Sequence, residues 1–194
     1  MIDPLGTAHP LSKRDNMIIA PIGYARAGKD EFANILVNEY GFTRFAFADK
    51  LRECLYALNP MVGTQGETVQ IVIDAWGWGG YKESGFSDEI RRLLQRMGTE
   101  MGRDTIDQNI WVNELDKVEA NKIVVTDCRF PNEYNKIVNL GAKVVRVERA
   151  GNKPVNGHSS ETALEHVVTK TIFQNNSTLE AYHDSIRNYM ENLV

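Results

Sequence analysis

Two glycines, Gly23 and Gly28, bracket four residues in the stretch GYARAGKDE, and Lys29 follows them. Glycines so placed let a backbone wrap closely around an oxyanion chain, whose oxygens then take hydrogen bonds from loop N–H groups and from the start of the next helix. Lys29 adds a full positive charge. A loop of this kind ordinarily places Ser or Thr next, as a neutral magnesium ligand, but here Asp30 stands there and Glu31 follows. Asp30 is either an anionic ligand for Mg2+, direct or through water, or a residue that only complements the helix dipole, and the residue types leave both open. Arg26, inside the loop, can offset its charge.

A second carboxylate, Asp127, closes the apolar run KIVVTD, and Arg129 stands two residues on. An acid at the end of a buried strand is placed to hold a magnesium shell, and an arginine beside it can neutralise charge on a transferred phosphoryl group. The bland alternative is a surface ion pair of little energetic worth. A third group lies in IRRLLQRMGTEMGR, where Arg92, Gln95, Arg96 and Thr99 share one face at helical spacing. Arginine suits a bidentate phosphate contact and glutamine a base edge, although a solvated helix face explains the same pattern. His158 is a lone loop histidine and makes no metal site. Trp76, Trp78 and Trp111 are of a type found more often in cores than on stacking platforms.

These residues need elements to carry them. MIIAPIG reads as a buried strand, and KDEFANILVNEYG as an amphipathic helix stopped by Gly41, so strand, glycine loop and helix come in the order a phosphate loop requires. FTRFAFA (Phe42–Ala48) is a second strand and DKLRECLYAL a second helix. Residues 67–76 are expected to be helical, GWGGYKESG to be a turn-rich connector, DEIRRLLQRMGTEMGR to be one amphipathic helix, and IWVNELDKVEA to continue as helix. KIVVTDCRF is the strongest buried strand, NEYNKIVNLG a helix, AKVVRVERA a strand, TKTIFQNN a last strand, and STLEAYHDSIRNYMENL a closing helix capped by Ser177 with Glu180 at capping-box spacing. Strands alternate with helices throughout. That predicts an α/β fold with a parallel sheet of about five strands, helices on both faces, and a ligand crevice at the strand carboxyl ends.

Composition sets the outer bounds. The chain has 194 residues, 42% hydrophobic and 25% charged, with a net charge of −4. The acidic balance excludes a general nucleic-acid coat while allowing a local cationic pocket. Cys54 and Cys128 form no CxxC pair, so neither a disulfide framework nor structural zinc is expected, and a reduced cytoplasmic protein fits. No apolar run approaches the ~20 residues of a membrane span. Residues 1–16 read as a flexible arm without the features of a signal peptide, and 17–194 as one domain carrying a helical substrate-binding insertion at approximately 59–115.

Taken in order, GYARAGKDEFA, FAFADKLRECLYALNP, AWGWGGYK, IRRLLQRMGTEMGR, IWV, VVTDCRFPNE, GAKVVRVER, HSSE and QNNSTLEA resemble the bacteriophage deoxynucleoside monophosphate kinases, a P-loop family, across most of the chain from Met17. Members often carry GKD, so Asp30 ceases to be an anomaly; they commonly have Thr where this chain has Glu31. The resemblance implies a P-loop NTPase fold and the reaction ATP + dNMP → ADP + dNDP, with ATP and Mg2+ as cofactors. It implies donor-nucleotide contacts at Gly23, Ala25, Ala27, Gly28, Lys29, Asp30 and Glu31, and at Asn175 and Asn176 for the base. Lys29, Arg26, Arg129 and Asp127 become catalytic candidates, with Asp30 and Asp127 as magnesium ligands. Asp49, Arg52, Arg92, Gln95, Arg103 and Trp111 become acceptor contacts. The partners implied are small molecules, not a nucleic-acid polymer or a membrane, with a homodimer compatible and the host-cell cytoplasm as location. Another small-molecule P-loop kinase, acting on dephospho-coenzyme A or phosphomevalonate, and a nucleotide-binding protein without transfer activity are the competing expectations.

Overall fold

The computed structural model describes residues 16–153 and 162–193. The arm expected at 1–16 (Asn16 apart) and the HSSE stretch with His158 lie outside the described residues. In chain order the elements are β1 (Met17–Ile22), α1 (Lys29–Tyr40), β2 (Thr43–Phe45), α2 (Ala48–Leu58), α3 (Val69–Gly80), α4 (Ser87–Gln95), β3 (Lys122–Val125), α5 (Pro131–Asn139), β4 (Lys143–Glu148), β5 (Thr171–Gln174) and α6 (Leu179–Glu191). The chain divides into two compact units: one runs to Ala46 and resumes at Leu115, and the other is Phe47–Glu114.

Among the described residues the first unit holds five strands, which form one parallel sheet in the order β2-β3-β1-β4-β5. From β1 the chain crosses through α1 toward one edge, and from β3 through α5 toward the other. Right-handed crossovers in opposite directions place α1 and α5 on opposite faces. One face of the sheet presents Ile19, Val124, Val145, Val147 and Phe173 to Phe32 and Leu36 of α1 and to Tyr182, Ile186 and Met190 of α6. Alternate strand residues, Ile18, Ile123 and Val125, are equally buried, as a sheet covered on both sides requires. The fold is therefore the expected α/β P-loop type, with a shorter second strand than the apolar run FTRFAFA suggests.

α1 and α6 are also joined by a fork. Arg187 donates through Nε and Nη2 to the two carboxylate oxygens of Glu39, each at 2.8 Å. These hydrogen bonds, with the guanidinium charge, hold the Glu39 carboxyl below its ordinary range. A carboxyl depressed in the folded state contributes stability above its unfolded pKa and loses it as pH falls through the folded one. Glu39→Gln should therefore lower the urea midpoint at pH 7, and the gap to wild type should close below about pH 4. Urea titrations from about pH 3 to about pH 7 check this; a gap independent of pH would mean the fork contributes only packing.

The second unit is helical, with Leu55, Val69, Val72, Ile73, Tyr81 and Ile90 at its core. It begins before α2 rather than after it. α3 runs on through GWGG to Gly80, bent at Gly77, so the expected connector is mostly helix. The expected single helix from Asp88 to Arg103 is not uniform: α4 ends at Gln95 and residues Arg96–Ile106 wind as a π-helix. The cause is tertiary. The Leu51 side chain packs on Gly98, the Trp111 ring packs on Gly102, and Trp111 Nε1 donates to the Gly98 carbonyl at 2.9 Å. The segment closes with Asp107 N–H bonded to Gly102 O, a five-residue return. The helix expected through IWVNELDKVEA is a turn and a short 3-10 stretch, Val112–Lys117. The closing helix is capped by Thr178, not Ser177: its Oγ1 accepts from Ala181 N–H at 3.2 Å.

Candidate active site

The glycine loop joins β1 to α1, and two of its positions admit only glycine. Gly23 has φ +144°, and a Cβ there would lie 2.2 Å from the Val147 carbonyl oxygen. Gly28 has φ +112° and would drive a Cβ into Asn175 Nδ2 at 2.5 Å. Between them Arg26 is exposed in the left-handed region, φ +63°, a conformation that non-glycine residues adopt mainly where the surroundings enforce it. α1 starts at Lys29 with Gly28 as its cap and no side chain closing its N-terminus. Lys29 folds back over the loop: Nζ donates to the Gly23 carbonyl at 2.8 Å and to the Tyr24 carbonyl at 2.7 Å.

A bracket of side chains holds the loop from behind. Asn175 Nδ2 donates to Ala27 O at 2.9 Å, Tyr182 Oη to Gly28 O at 3.1 Å, and Asn152 Nδ2 to Ala25 O at 3.1 Å. Burial, with the nearby Glu31 charge, raises the Tyr182 phenol well above its usual range, so it remains a donor. Glu31 is turned away from the loop, with Oε1 2.8 Å from His183 Nε2. Its side chain belongs to the seam between α1 and α6, and only its backbone N–H faces the helix start. Asn176 likewise is engaged by protein: Oδ1 accepts from Ala150 N–H at 2.6 Å and Nδ2 donates to Gln174. The side chains of Asn175 and Asn176, expected at the donor base, are thus committed to shaping the loop and the β4–β5 end.

β3 delivers the second group. It pairs with β1 so that Ile19 meets Val124, and that register carried onward sets Cys128 level with Gly23. Gly23, Tyr24 and Ala25 from the loop, Lys29 from α1, and Cys128 and Arg129 from the end of β3 line one pocket. Burial pushes the Cys128 thiol far above its ordinary pKa, so it is an inert wall rather than a nucleophile. Arg129 is positioned by a residue that sequence reading passed over. Glu133 is buried, and its Oε2 accepts from the N–H groups of Arg129 at 2.7 Å and Phe130 at 3.0 Å. The signal was present, since an acid three residues after a helix cap is a capping pattern. Asp127 stands half-buried between buried Thr126 and Cys128, and Asp30 is exposed on the first turn of α1.

The residues present fit a magnesium nucleoside triphosphate. The two glycines leave room that a Cβ would fill, the helix start carries no side-chain cap, and Lys29 and Arg129 share the pocket. Among the described residues no cluster of three metal-ligating side chains occurs. Magnesium in phosphate sites commonly takes only one or two carboxylates, with water and phosphate completing its shell; Asp30 and Asp127, the expected ligands, flank Lys29 and Cys128 in sequence, and among the described residues the carboxylate that lines the pocket itself is Glu165.

The acceptor candidates lie in the second unit. Arg92 forms a fork with Glu89, at 2.8 and 2.6 Å, and Arg52 donates to Asp49 at 2.9 Å. Arg96 pairs with Glu100 at 3.1 Å. Gln95 is exposed at the end of α4, and Arg103 is half-buried in the π segment. The change of winding at Arg96 means that Thr99 and Arg103 do not continue the face begun by Arg92 and Gln95. Trp111, expected at the substrate, is buried: its ring lies on Gly102 and its Nε1–H donates to the Gly98 carbonyl.

Residues 81–186 match the family described as deoxynucleotide monophosphate kinase. A protein of Acanthamoeba polyphaga mimivirus, provisionally named for that same activity, is 27% identical over 197 residues, covering 91% of this chain and 97% of its own. The deoxynucleotide monophosphate kinase of Escherichia phage RB69 is 30% identical over 104 residues, covering 50% of this chain and 43% of its own, so this chain spans under half the length of that relative. Among solved structures, the shikimate kinase of Aquifex aeolicus vf5 overlaps with a TM-score of 0.46 at 11% identity, over 91% of this chain and 97% of that one, a likeness too remote to bear on chemistry.

Proposed function

Because this chain belongs to the deoxynucleotide monophosphate kinase family, we propose that it transfers the γ-phosphoryl group of ATP to a deoxynucleoside 5′-monophosphate, giving ADP and the diphosphate. The observation that carries the reading is the pocket in which Lys29 and Arg129 meet the backbone of Gly23–Ala25. Loop N–H groups and the start of α1 bind the donor phosphates, and Lys29 exchanges the Gly23 and Tyr24 carbonyls for phosphate oxygens. Arg129 stabilises charge that develops on the phosphoryl group in flight. Asp30 and Asp127 would hold Mg2+, which supplies charge neutralisation for the β- and γ-phosphates. Arg26 adds a cation at the loop apex.

The acceptor needs binding more than activation. A phosphomonoester has its second pKa near ~6, so at neutral pH the attacking oxygen already belongs mostly to a dianion. No general base is therefore required. Arg52, Arg92 and Arg103 are the candidates for the acceptor phosphate, with Gln95 reading the base edge and Asp49 orienting Arg52. The two-pronged contact of Arg92 with Glu89 and the single contact of Arg52 with Asp49 support this reading, since each guanidinium already faces an oxyanion. The host-cell cytoplasm, where ATP and deoxynucleotides are available, suits this activity.

The test is coupled ADP release from ATP with dAMP, dGMP, dCMP, dTMP and dUMP in turn, with dephospho-coenzyme A and phosphomevalonate as further acceptors. At least one deoxynucleotide is expected to raise ADP release far above the rate without acceptor. ATP binding with no stimulation by any of them would refute the kinase reading.

A further inference from the structure

One wall of the donor pocket comes from a segment that no phosphate-loop pattern announces. Residues 162–167 form two successive turns, Glu165 N–H to Thr162 O at 3.0 Å and Val167 N–H to Leu164 O at 3.2 Å. They are fastened to β4 by one guanidinium. Arg146 Nη2 donates to the carbonyl oxygens of Leu164, Glu165 and Val167 at 3.0, 3.4 and 2.5 Å. Leu164 is buried beneath, and the Glu165 side chain emerges into the pocket that holds Lys29 and Arg129. There the Tyr24 hydroxyl, itself part of the phosphate loop, donates to the Glu165 carboxylate.

This places an anion of the protein's own in a pocket built for anions. A carboxylate and a polyphosphate in one pocket repel each other, and the repulsion grows with the number of phosphate charges. We propose that Glu165 sets the donor affinity of this site by competing with the donor polyphosphate for the phosphate loop, with Tyr24 as the contact that is exchanged when nucleotide binds. The inference rests on the reading of the loop as a nucleotide site. Arg146 is the positioning residue, since its three carbonyl contacts keep Glu165 in reach of Tyr24. The hydrogen bond to Glu165 also holds the Tyr24 phenol above its ordinary pKa, so at neutral pH it is a donor that can pass to a phosphate oxygen.

The experiment is equilibrium binding of fluorescent ATP and ADP analogues to the full chain and to Glu165→Gln, which keeps the side chain's shape and a hydrogen-bonding oxygen for Tyr24. The variant is expected to bind ATP about 3- to 10-fold more tightly, with a smaller gain for ADP. Dependence on phosphate number is the decisive readout, because a merely structural role for Glu165 would move both nucleotides alike. Unchanged or weaker ATP binding by the variant, or an equal gain for ADP, overturns the inference and leaves the kinase reading standing. Failure of the unaltered chain to bind either nucleotide overturns both.

Discussion

Replacing Lys29 with Ala is expected to lower kcat at least about 10³-fold while the protein stays folded. Among the described residues Lys29 is the only lysine lining the pocket, and its ammonium already rests on the Gly23 and Tyr24 carbonyls at 2.8 and 2.7 Å. Its removal takes a full charge from the place where phosphoryl charge would develop, and a thousandfold loss corresponds to about 4 kcal/mol of transition-state stabilisation. The same change removes two partly buried hydrogen bonds from the loop. Those are worth about 1–2 kcal/mol each in a partly exposed loop, so the thermal midpoint should fall by roughly ten degrees or less without loss of the fold. Far-UV circular dichroism and a thermal melt, beside the coupled ADP assay, separate the two effects. Near-normal turnover would remove the phosphate loop from the mechanism. A collapsed melt would show that Lys29 is needed chiefly as a strut for the loop.

The strand, loop and helix that carry Lys29 were legible because each announces itself locally. An apolar run ends at a glycine, and the next helix shows its buried face through Phe32, Ile35 and Leu36 at helical spacing. The parallel sheet followed from alternation alone. What failed was decided elsewhere in the chain. α4 does not continue as an α-helix because Leu51 and Trp111 press on Gly98 and Gly102, and nothing near those glycines in sequence reveals it. The cap of α6 shifted by one residue because Ser177 and Thr178 are both competent, and backbone direction chose between them.

The candidate site divides in the same way. Gly23, Gly28, Lys29 and Arg129 could be named because loop chemistry and strand ends have fixed grammar. Their supports could not. Asn175 reaches Ala27, Tyr182 reaches Gly28, and His183 takes Glu31, in each case across about 150 residues of sequence. Asn175 is legible as a turn residue before the last helix, but its bond to the loop backbone at Ala27 is not. Glu31, which departs from the threonine common at that place, is accounted for by a histidine that no motif contains. Arg146 and Glu165 are ordinary letters in a strand and a turn until the fold brings them beside Tyr24.

Arg129→Ala should show the other large effect, and of a different kind. The side chain lines the pocket with Lys29, while its backbone N–H is fixed by Oε2 of buried Glu133 at 2.7 Å. The truncation therefore leaves the backbone of the β3–α5 turn anchored and removes the guanidinium with its aliphatic stem. If that group acts on charge present in the transition state, kcat should fall about 10²- to 10³-fold with KM for ATP and acceptor held within about threefold. Arg129→Lys should recover only part of the loss, because an ammonium restores charge but not the two-pronged geometry that spans phosphoryl oxygens. Steady-state kinetics with both substrates varied decide the matter. A rise in KM with kcat unchanged would make Arg129 a ground-state binding residue, and the charge stabilisation would then have to come from Lys29, Arg26 and the metal. Full recovery by Lys would show that charge alone matters there, and that the fork geometry of Arg129 is not used in the reaction.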